Sequence, residues 1–277
     1  MKQIKVGIIG CGTIGSNLAI KIQKSKELPA KVCYIADLDK AKARLLKKKI
    51  SPRKHKYSDC RISTIEELIK KSDFVIEAAS ASISFKVASS CLKNNKDVLV
   101  MSIGGLVKGI KTLKNLGKKS KGMLYLPSGA LCGIDGILAA SGSSIRSVSL
   151  TTRKPIAGLR GAPYFSHKKL DIDKIKKETV VFCGNAEEAI KYFPKNVNVA
   201  ALLSLASLGI KRTKVKIVTS PHYTRNMHQV IAEGSFGRIQ TITENVPSPT
   251  NPKTSYLAIL AAEALLKKIF NRIKIGT

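Results

Sequence analysis

The sequence predicts an α/β chain: an N-terminal doubly wound parallel sheet followed by a second, α+β domain. Two observations carry this prediction. Up to about residue 125, short apolar β-rich runs alternate with segments of helical spacing, the pattern of parallel βαβ units. Beyond it, strand-like runs succeed one another with few helices between them.

Residues 4–9 (I-K-V-G-I-I) have the length and composition of a buried strand. They run into G-C-G-T-I-G (10–15), after which 16–26 has helical spacing with Leu18 and Ile22 inward. A second strand, 31–36, ends at Asp37, and a Lys-rich helix, 40–49, leads to a polar stretch through 57–63. Thr64 with Glu67 three residues on is a capping-box pattern at the next helix start. A strand at 74–78, a helix at 85–94 and a strand at 97–101 follow. In the second half, 147–152, 179–183, 214–218, 227–232 and 239–244 read as strands of an open mixed or antiparallel sheet. A last helix, 255–270, carries Leu257, Leu260, Ala261, Ala264, Leu265 and Ile269 on one face. The expected division is 1–127 for the first domain, completed by the C-terminal helix within 253–277, and 128–252 for the second.

Composition narrows the function classes. With 44% hydrophobic and 24% charged residues the chain is ordinarily globular, which argues against disorder. Trp is absent and aromatic residues make up 5%, which argues against base-stacking platforms for nucleic acid. The formal net charge of +31 attracts anions of every kind, but the basic residues are spread along the whole chain, as a general lysine bias would spread them. Six scattered cysteines show no metal or redox spacing, so no metal is expected and a reduced, cytoplasmic protein is. No signal segment is read at the N-terminus, and the apolar run 199–210 is too short to span a bilayer, which takes about 20 residues.

The glycine loop is the strongest motif. Gly10 permits a tight turn, Gly12 lets the backbone approach a pyrophosphate, and Gly15 brings the helix close to the strand. Following a strand and opening a helix, it is the fingerprint of a dinucleotide-binding Rossmann unit, with the phosphate at the helix N-terminus. Cys11, Thr13 and Ile14 complete the loop, and Asp37 falls where a carboxylate accepts the ribose hydroxyls. Ala79 and Ser80, after the strand at 74–78, are further cofactor-binding candidates. Asp37 disfavours a 2′-phosphate, yet Lys40 and Lys42 crowd the same loop, so the cofactor is NAD or NADP.

In the second domain Asn226 and His228 share one face of an expected strand. Oxidising an amine needs a base for the ammonium proton and then for water, which a neutral imidazole suits. By residue type alone a strand histidine is more often structural than catalytic. His55 and His167 lie in Lys-rich polar stretches, and His222 follows Pro221 in an expected turn. Lys253 followed by Thr254 and Ser255 suggests a helix start that offers a carboxylate a cation and free amides. Arg153 and Lys154 end a strand and are expected to face solvent, and Asn198 suits a helix N-cap before 199–210.

An ordered set of stretches runs the length of the chain: G-C-G-T-I-G (10–15), D-V-L-V-M-S-I-G-G-L (97–106), L-P-S-G-A (126–130), T-T-R-K-P (151–155), F-P-K-N-V-N-V-A-A-L-L-S-L-A (193–206), N-M-H (226–228) and N-P-K-T-S (251–255). With these the sequence resembles the L-aspartate dehydrogenase family. The resemblance implies NAD(P)-dependent conversion of L-aspartate to iminoaspartate, which hydrolyses to oxaloacetate and ammonia or feeds NAD biosynthesis through quinolinate. It implies that His228 is the catalytic acid/base and that Ala130 and Asn198 touch the nicotinamide end of the cofactor. Asn198, Lys253 and Thr254 are then the substrate candidates, and a homodimer is expected, with neither a membrane nor nucleic acid as partner. One stretch departs from the family: T-S-P (219–221) stands where A-D-P is frequent. Two alternatives are another two-domain reductase, acting on dihydrodipicolinate or homoserine, and a basic NAD-sensing regulator that binds nucleic acid.

Overall fold

The computed structural model describes residues 3–51, 60–194, 198–249 and 251–276, without the side chains of Pro252 and Lys253. His55 and part of the 57–63 stretch therefore lie outside the described residues. The chain divides into two compact units, Met1–Pro127 with Ile259–Lys274 and Ser128–Ala258 with Ile275–Thr277.

Unit 1 is a Rossmann-type layer structure. In chain order it runs β1 (Ile4–Ile9), α1 (Thr13–Lys24), β2 (Ala30–Ala36), α2 (Lys40–Ile50), β3 (Arg61–Ile62), α3 (Ile65–Lys71) and β4 (Phe74–Glu77). It continues with α4 (Ala81–Lys93), β5 (Asp97–Val100), a 3-10 segment (Ile103–Gly109), α5 (Ile110–Lys119) and β6 (Leu124–Tyr125). The strand order is β3-β2-β1-β4-β5-β6, and every pairing is parallel. Strands buried on both faces need continuous apolar runs, and Val6, Ile8, Val75, Ile76, Val98 and Leu99 supply them.

The expected capping box at Thr64 forms only by half. Thr64 Oγ1 accepts the Glu67 amide at 3.2 Å, but the Glu67 carboxylate turns away to Lys71 at 2.7 Å, a stronger charged partner.

Unit 2 comprises α6 (Ile134–Ala140), β7 (Ile145–Pro155), α7 (Ile156–Leu159), α8 (Pro163–Lys168), β8 (Thr179–Asn185), α9 (Ala186–Tyr192) and α10 (Asn198–Leu205). Then come β9 (Thr213–Ser220), β10 (Asn226–Gly234), β11 (Gly237–Asn245) and a small hairpin of β12 (Pro247–Ser248) and β13 (Asn251–Ser255). Its five-stranded sheet has the order β11-β10-β7-β9-β8 and is mixed: β7 and β9 run parallel, the other neighbours antiparallel. One face carries Val148, Leu150, Val215, Ile217, Val230 and Ala232 into a core with Ala186, Ala189 and Leu203 from the helices. A reciprocal capping box does form here, between Asn185 and Glu188 at the start of α9.

The last helix, α11 (Tyr256–Phe270), corrects two expectations. Residues 253–255 belong to strand β13, so the helix neither starts at 253 nor runs to 277, and Thr254 and Ser255 are strand residues. Its buried residues are Ile259, Ala262 and Leu266, not the predicted face, and Ala264 is exposed. The segment from Leu257 to Leu266 is apolar nearly all round, so periodicity could not choose a face. Within unit 1 the helix is held by a Lys21–Glu263 ion pair, a Lys267–Glu27 pair at 3.4 Å and an edge-to-face contact of Phe270 on Phe74 with centroids 5.5 Å apart.

Candidate functional site

In unit 1 the loop between β1 and α1 stands where the strand order reverses, with β2 on one side of β1 and β4 on the other. The three glycines have different causes. Gly10 has φ +95°, and a Cβ there would come within 2.6 Å of the Ala78 and Ala79 backbone. A Cβ on Gly15 would lie 1.9 Å from the Gly10 carbonyl oxygen. A Cβ on Gly12 would meet nothing within 4 Å. The protein's own packing requires glycine at 10 and 15; at 12 the space is open, as an approaching ligand would need.

Gly12 is the N-cap residue of α1, with no side-chain cap and no acid in the first turn, so the helix presents uncapped amides beside Thr13 and Ile14. Asp37, just past β2, accepts from the Cys11 amide at 2.6 Å and from the Asp39 amide at 2.8 Å. These bonds fix its carboxylate at the rim of a cavity of about 520 Å³ lined by Gly10, Gly12, Asp37, Lys42, Ala79 and Ser80. Leu38, 98% exposed, also lines that cavity and offers an apolar surface to a flat ring. Burial pushes the Cys11 thiol up to about 12, so Cys11 contributes its backbone and an inert side chain.

Sequence reading missed Glu77, which ends β4 and is wholly buried. Its carboxylate accepts from the Ala79 amide at 2.8 Å, the Ser80 amide at 3.1 Å, and the Ser102 amide and hydroxyl at 3.1 and 3.0 Å. Burial raises its pKa despite these four bonds. It ties the loop after β4, which carries Ala79 and Ser80, to the loop after β5.

In unit 2 the helix-covered sheet face becomes polar toward one end. Along β7 the inward residues are Val148, Leu150, Thr152 and Lys154, and along β10 they include Val230 and His228. His228 pairs across the sheet with Thr152 on one side and Thr243 on the other. It is 3% exposed, and its Nδ1 lies 3.1 Å from Thr152 Oγ1. Burial, and secondarily the nearby Lys154 charge, lowers the His228 pKa to about 3. The imidazole is therefore neutral over the working range.

Lys154 corrects its predicted place. It is 8% exposed, not solvent-facing, and burial lowers its pKa to about 8. The strand alternation that buries Val148 and Leu150 continues through Thr152 to Lys154. Arg153, on the opposite face, bonds Gln229 Oε1 at 3.4 Å instead. Thr219 Oγ1 donates to the Lys154 carbonyl at 2.7 Å, and Ser220 Oγ accepts the His222 amide at 3.2 Å. In this chain, therefore, the T-S-P departure builds its own hydroxyl-held turn.

Two further expected residues belong to this unit. The segment holding Ala130 is laced to β11: Asn245 Nδ2 donates to the Ala130 carbonyl at 3.2 Å, and Thr241 Oγ1 to the Cys132 carbonyl at 3.4 Å. Asn198 opens α10, whose Val199 and Ala200 line a small void together with Thr152 and Lys154. His222 is exposed in a turn, and His167 is exposed at the end of α8, stacked on Tyr192. Thr254 is half-buried in β13, and the Lys253 side chain lies outside the described residues. No group of three or more potential metal ligands occurs among the described residues, and no helix there is long and apolar enough to cross a membrane.

Comparison with known proteins agrees with this arrangement. Residues 135–269 match the family profile of the aspartate dehydrogenase C-terminal domain, and 10–127 that of the homoserine dehydrogenase NAD-binding domain. The chain is 46% identical to an L-aspartate dehydrogenase of Methanosarcina mazei over 99% of this chain and 100% of that protein. This chain belongs to the L-aspartate dehydrogenase family. It is 37% identical to a family member from Nitrosopumilus maritimus, over 99% of each chain. The crystal structure of aspartate dehydrogenase from Thermotoga maritima superposes with a TM-score of 0.73 at 25% identity, covering 99% of both chains.

Proposed function

We propose that this protein oxidises the α-amine of L-aspartate with NAD or NADP, giving iminoaspartate, reduced cofactor and a proton. Water then converts the imine to oxaloacetate and ammonia. The observation that carries this reading is the full-length match to L-aspartate dehydrogenases, in the two units alike. The cofactor, when bound, accepts the hydride from the aspartate α-carbon.

The chain's own groups have complementary tasks. The Gly10–Gly15 loop and the first amides of α1 receive the pyrophosphate, Asp37 accepts the ribose hydroxyls, and Ala79 and Ser80 line the same cleft. Ala130 and Asn198 are assigned to the nicotinamide end by family likeness. His228, neutral and oriented by Thr152, takes the ammonium proton so that the amine lone pair can assist hydride departure, and later activates water on the imine. Lys253 and Thr254 remain substrate contacts in this reading. A cytoplasmic homodimer acting on small molecules, without nucleic acid, completes it.

The deciding assay follows NAD(P)H consumption with oxaloacetate and ammonia beside 2-oxoglutarate, pyruvate and other oxo acids, and NAD(P)H formation with aspartate and homoserine. Preference for oxaloacetate and aspartate is expected. Turnover of homoserine instead, or of none of these, would overturn the reading.

A further inference from the structure

We propose that Asn245 is a substrate-binding residue whose side-chain oxygen accepts a hydrogen bond from the α-amino group of the substrate, beside His228. The proposal rests on the aspartate reading and assigns a contact within the same site.

The Asn245 amide has one settled orientation. Its Nδ2 donates to the Ala130 carbonyl at 3.2 Å, and turning the amide over would set oxygen against oxygen. Oδ1 is thereby fixed at the other end of the amide, buried, with no hydrogen-bond donor among the described residues. The residue as a whole is 2% exposed. The other buried side-chain oxygens in that condition among the described residues belong to Ser51, Ser63, Ser72 and Ser89, all in unit 1. A serine hydroxyl turns about one bond and can donate or accept, whereas a pinned amide oxygen only accepts, and only where it stands. A buried acceptor without a donor destabilises the fold, which a binding site tolerates when its ligand brings the donor.

The strand register names that donor. Asn245 shares one face of β11 with Thr241 and Thr243. Across the antiparallel pair Thr243 stands opposite His228, and Asn245 opposite Asn226. His228 and Asn245 are therefore diagonal neighbours with backbones about 7–8 Å apart, a span that one nitrogen between their side chains bridges. Thr152 holds His228 Nδ1 from the opposite strand, β7, at 3.1 Å, which leaves Nε2 for the substrate.

An amine fits this pair of groups. The ammonium of aspartate has three N–H bonds, of which one proton passes to His228. The free amine, and the iminium left when the hydride departs, each keep two. An amide oxygen accepts from all three forms and does not compete for the proton that the histidine takes. A carboxylate in its place would pair with the ammonium and hold that proton on the substrate. One side chain thus orients the amine through Oδ1 and holds the Ala130 segment through Nδ2.

The test reads binding by calorimetry in the presence of NADH. The ligands are aspartate and methylsuccinate, which carries a methyl group where aspartate carries its ammonium. Wild type should favour aspartate by about 10- to 100-fold, as a hydrogen bond to a charged group would give. Asn245→Leu, checked by melting, should lose that preference, with aspartate weakened by about the same factor and methylsuccinate and NADH bound as in wild type. Thr241→Val cuts the other tie to the same segment, from Thr241 Oγ1 to the Cys132 carbonyl at 3.4 Å, and should keep the preference. Equal affinity of wild type for the two ligands overturns the proposal without any variant. So does an Asn245→Leu protein that keeps the preference, or that loses both ligands alike. Loss of NADH alone would give the oxygen to the cofactor's carboxamide, and loss of the preference in Thr241→Val would reduce Asn245 to a tether; either overturns the proposal. A wild type that binds neither ligand overturns the aspartate reading and this contact with it, whereas failure of the ratio alone leaves that reading standing.

Discussion

In unit 1 the groups proposed to face the cofactor belong mostly to the backbone: amides at the start of α1, a glycine with nothing within 4 Å of its absent side chain, and one carboxylate tied to a loop amide. In unit 2 the proposed site groups are side chains, a buried histidine and threonine set by strand register. A backbone site is specified by where the chain cannot carry a side chain, which leaves a compact mark in the sequence. A side-chain site is assembled from residues 76 positions apart, as Thr152 and His228 are, and leaves none. The two also differ in how substitutions should act: in unit 1 on affinity or folding, in unit 2 on chemistry.

The largest effect expected tests that contrast directly. His228→Asn should lower kcat by about 10²–10⁴-fold or more, with cofactor affinity and melting temperature close to wild type. His222→Ala, in its exposed turn, should stay within about a few-fold. An inactive His222→Ala beside an active His228→Asn would move the catalytic role to the other histidine.

Next in size is acid sensitivity. His228 titrates at 6.5 when unfolded and at about 3 when folded, so the unfolded chain binds the extra proton between those values. Stability should be fully present above about pH 6.5 and fall as pH drops toward 3, by up to about 1.4 kcal/mol per pH unit from this group. Denaturant melts at several pH values should give His228→Gln a shallower acid slope than wild type. Equal slopes would mean that another group governs acid unfolding.

The glycines sharpen the comparison within unit 1. Gly15→Ala drives a methyl into the Gly10 carbonyl and should cost about 1–3 kcal/mol of stability or more. Gly12→Ala meets open space, so its melting temperature should hold while cofactor affinity falls. If both variants lose only stability, no phosphate rests against Gly12.

The smallest effect concerns Asp37→Ala. The loss of charged hydrogen bonds should weaken NAD binding by about 1–3 kcal/mol and narrow any gap between NAD and NADP. Unchanged NAD affinity in calorimetry would remove Asp37 from the ribose.

Much of unit 1 was legible because local signals agreed. The span of β1 is the span read from 4–9, and the glycine loop and Asp37 stand where the fingerprint puts them. Less was legible where burial overrides residue type. The alternation Val148, Leu150, Thr152 pointed Lys154 inward, but the general habit of lysine outweighed the register. Glu77 and Asn245 gave no signal, because their importance lies in bonds to the backbones of Ser102 and Ala130, 25 and 115 residues away. Helix α11 was read with the wrong face because its apolar residues surround it.

That last helix sets an order on synthesis. Unit 1 is written in two pieces, 1–127 and 259–274, with the whole of 128–258 between them. A ribosome thus delivers the six-stranded sheet long before the helix bearing Glu263, Lys267 and Phe270. Until then Phe74 lacks its edge-on ring, and Lys21 and Glu27 lack their partners. A fragment cut after Pro127 would hold the nucleotide loop yet leave that flank bare. The nascent chain therefore spends the synthesis of 131 residues with its first unit unfinished.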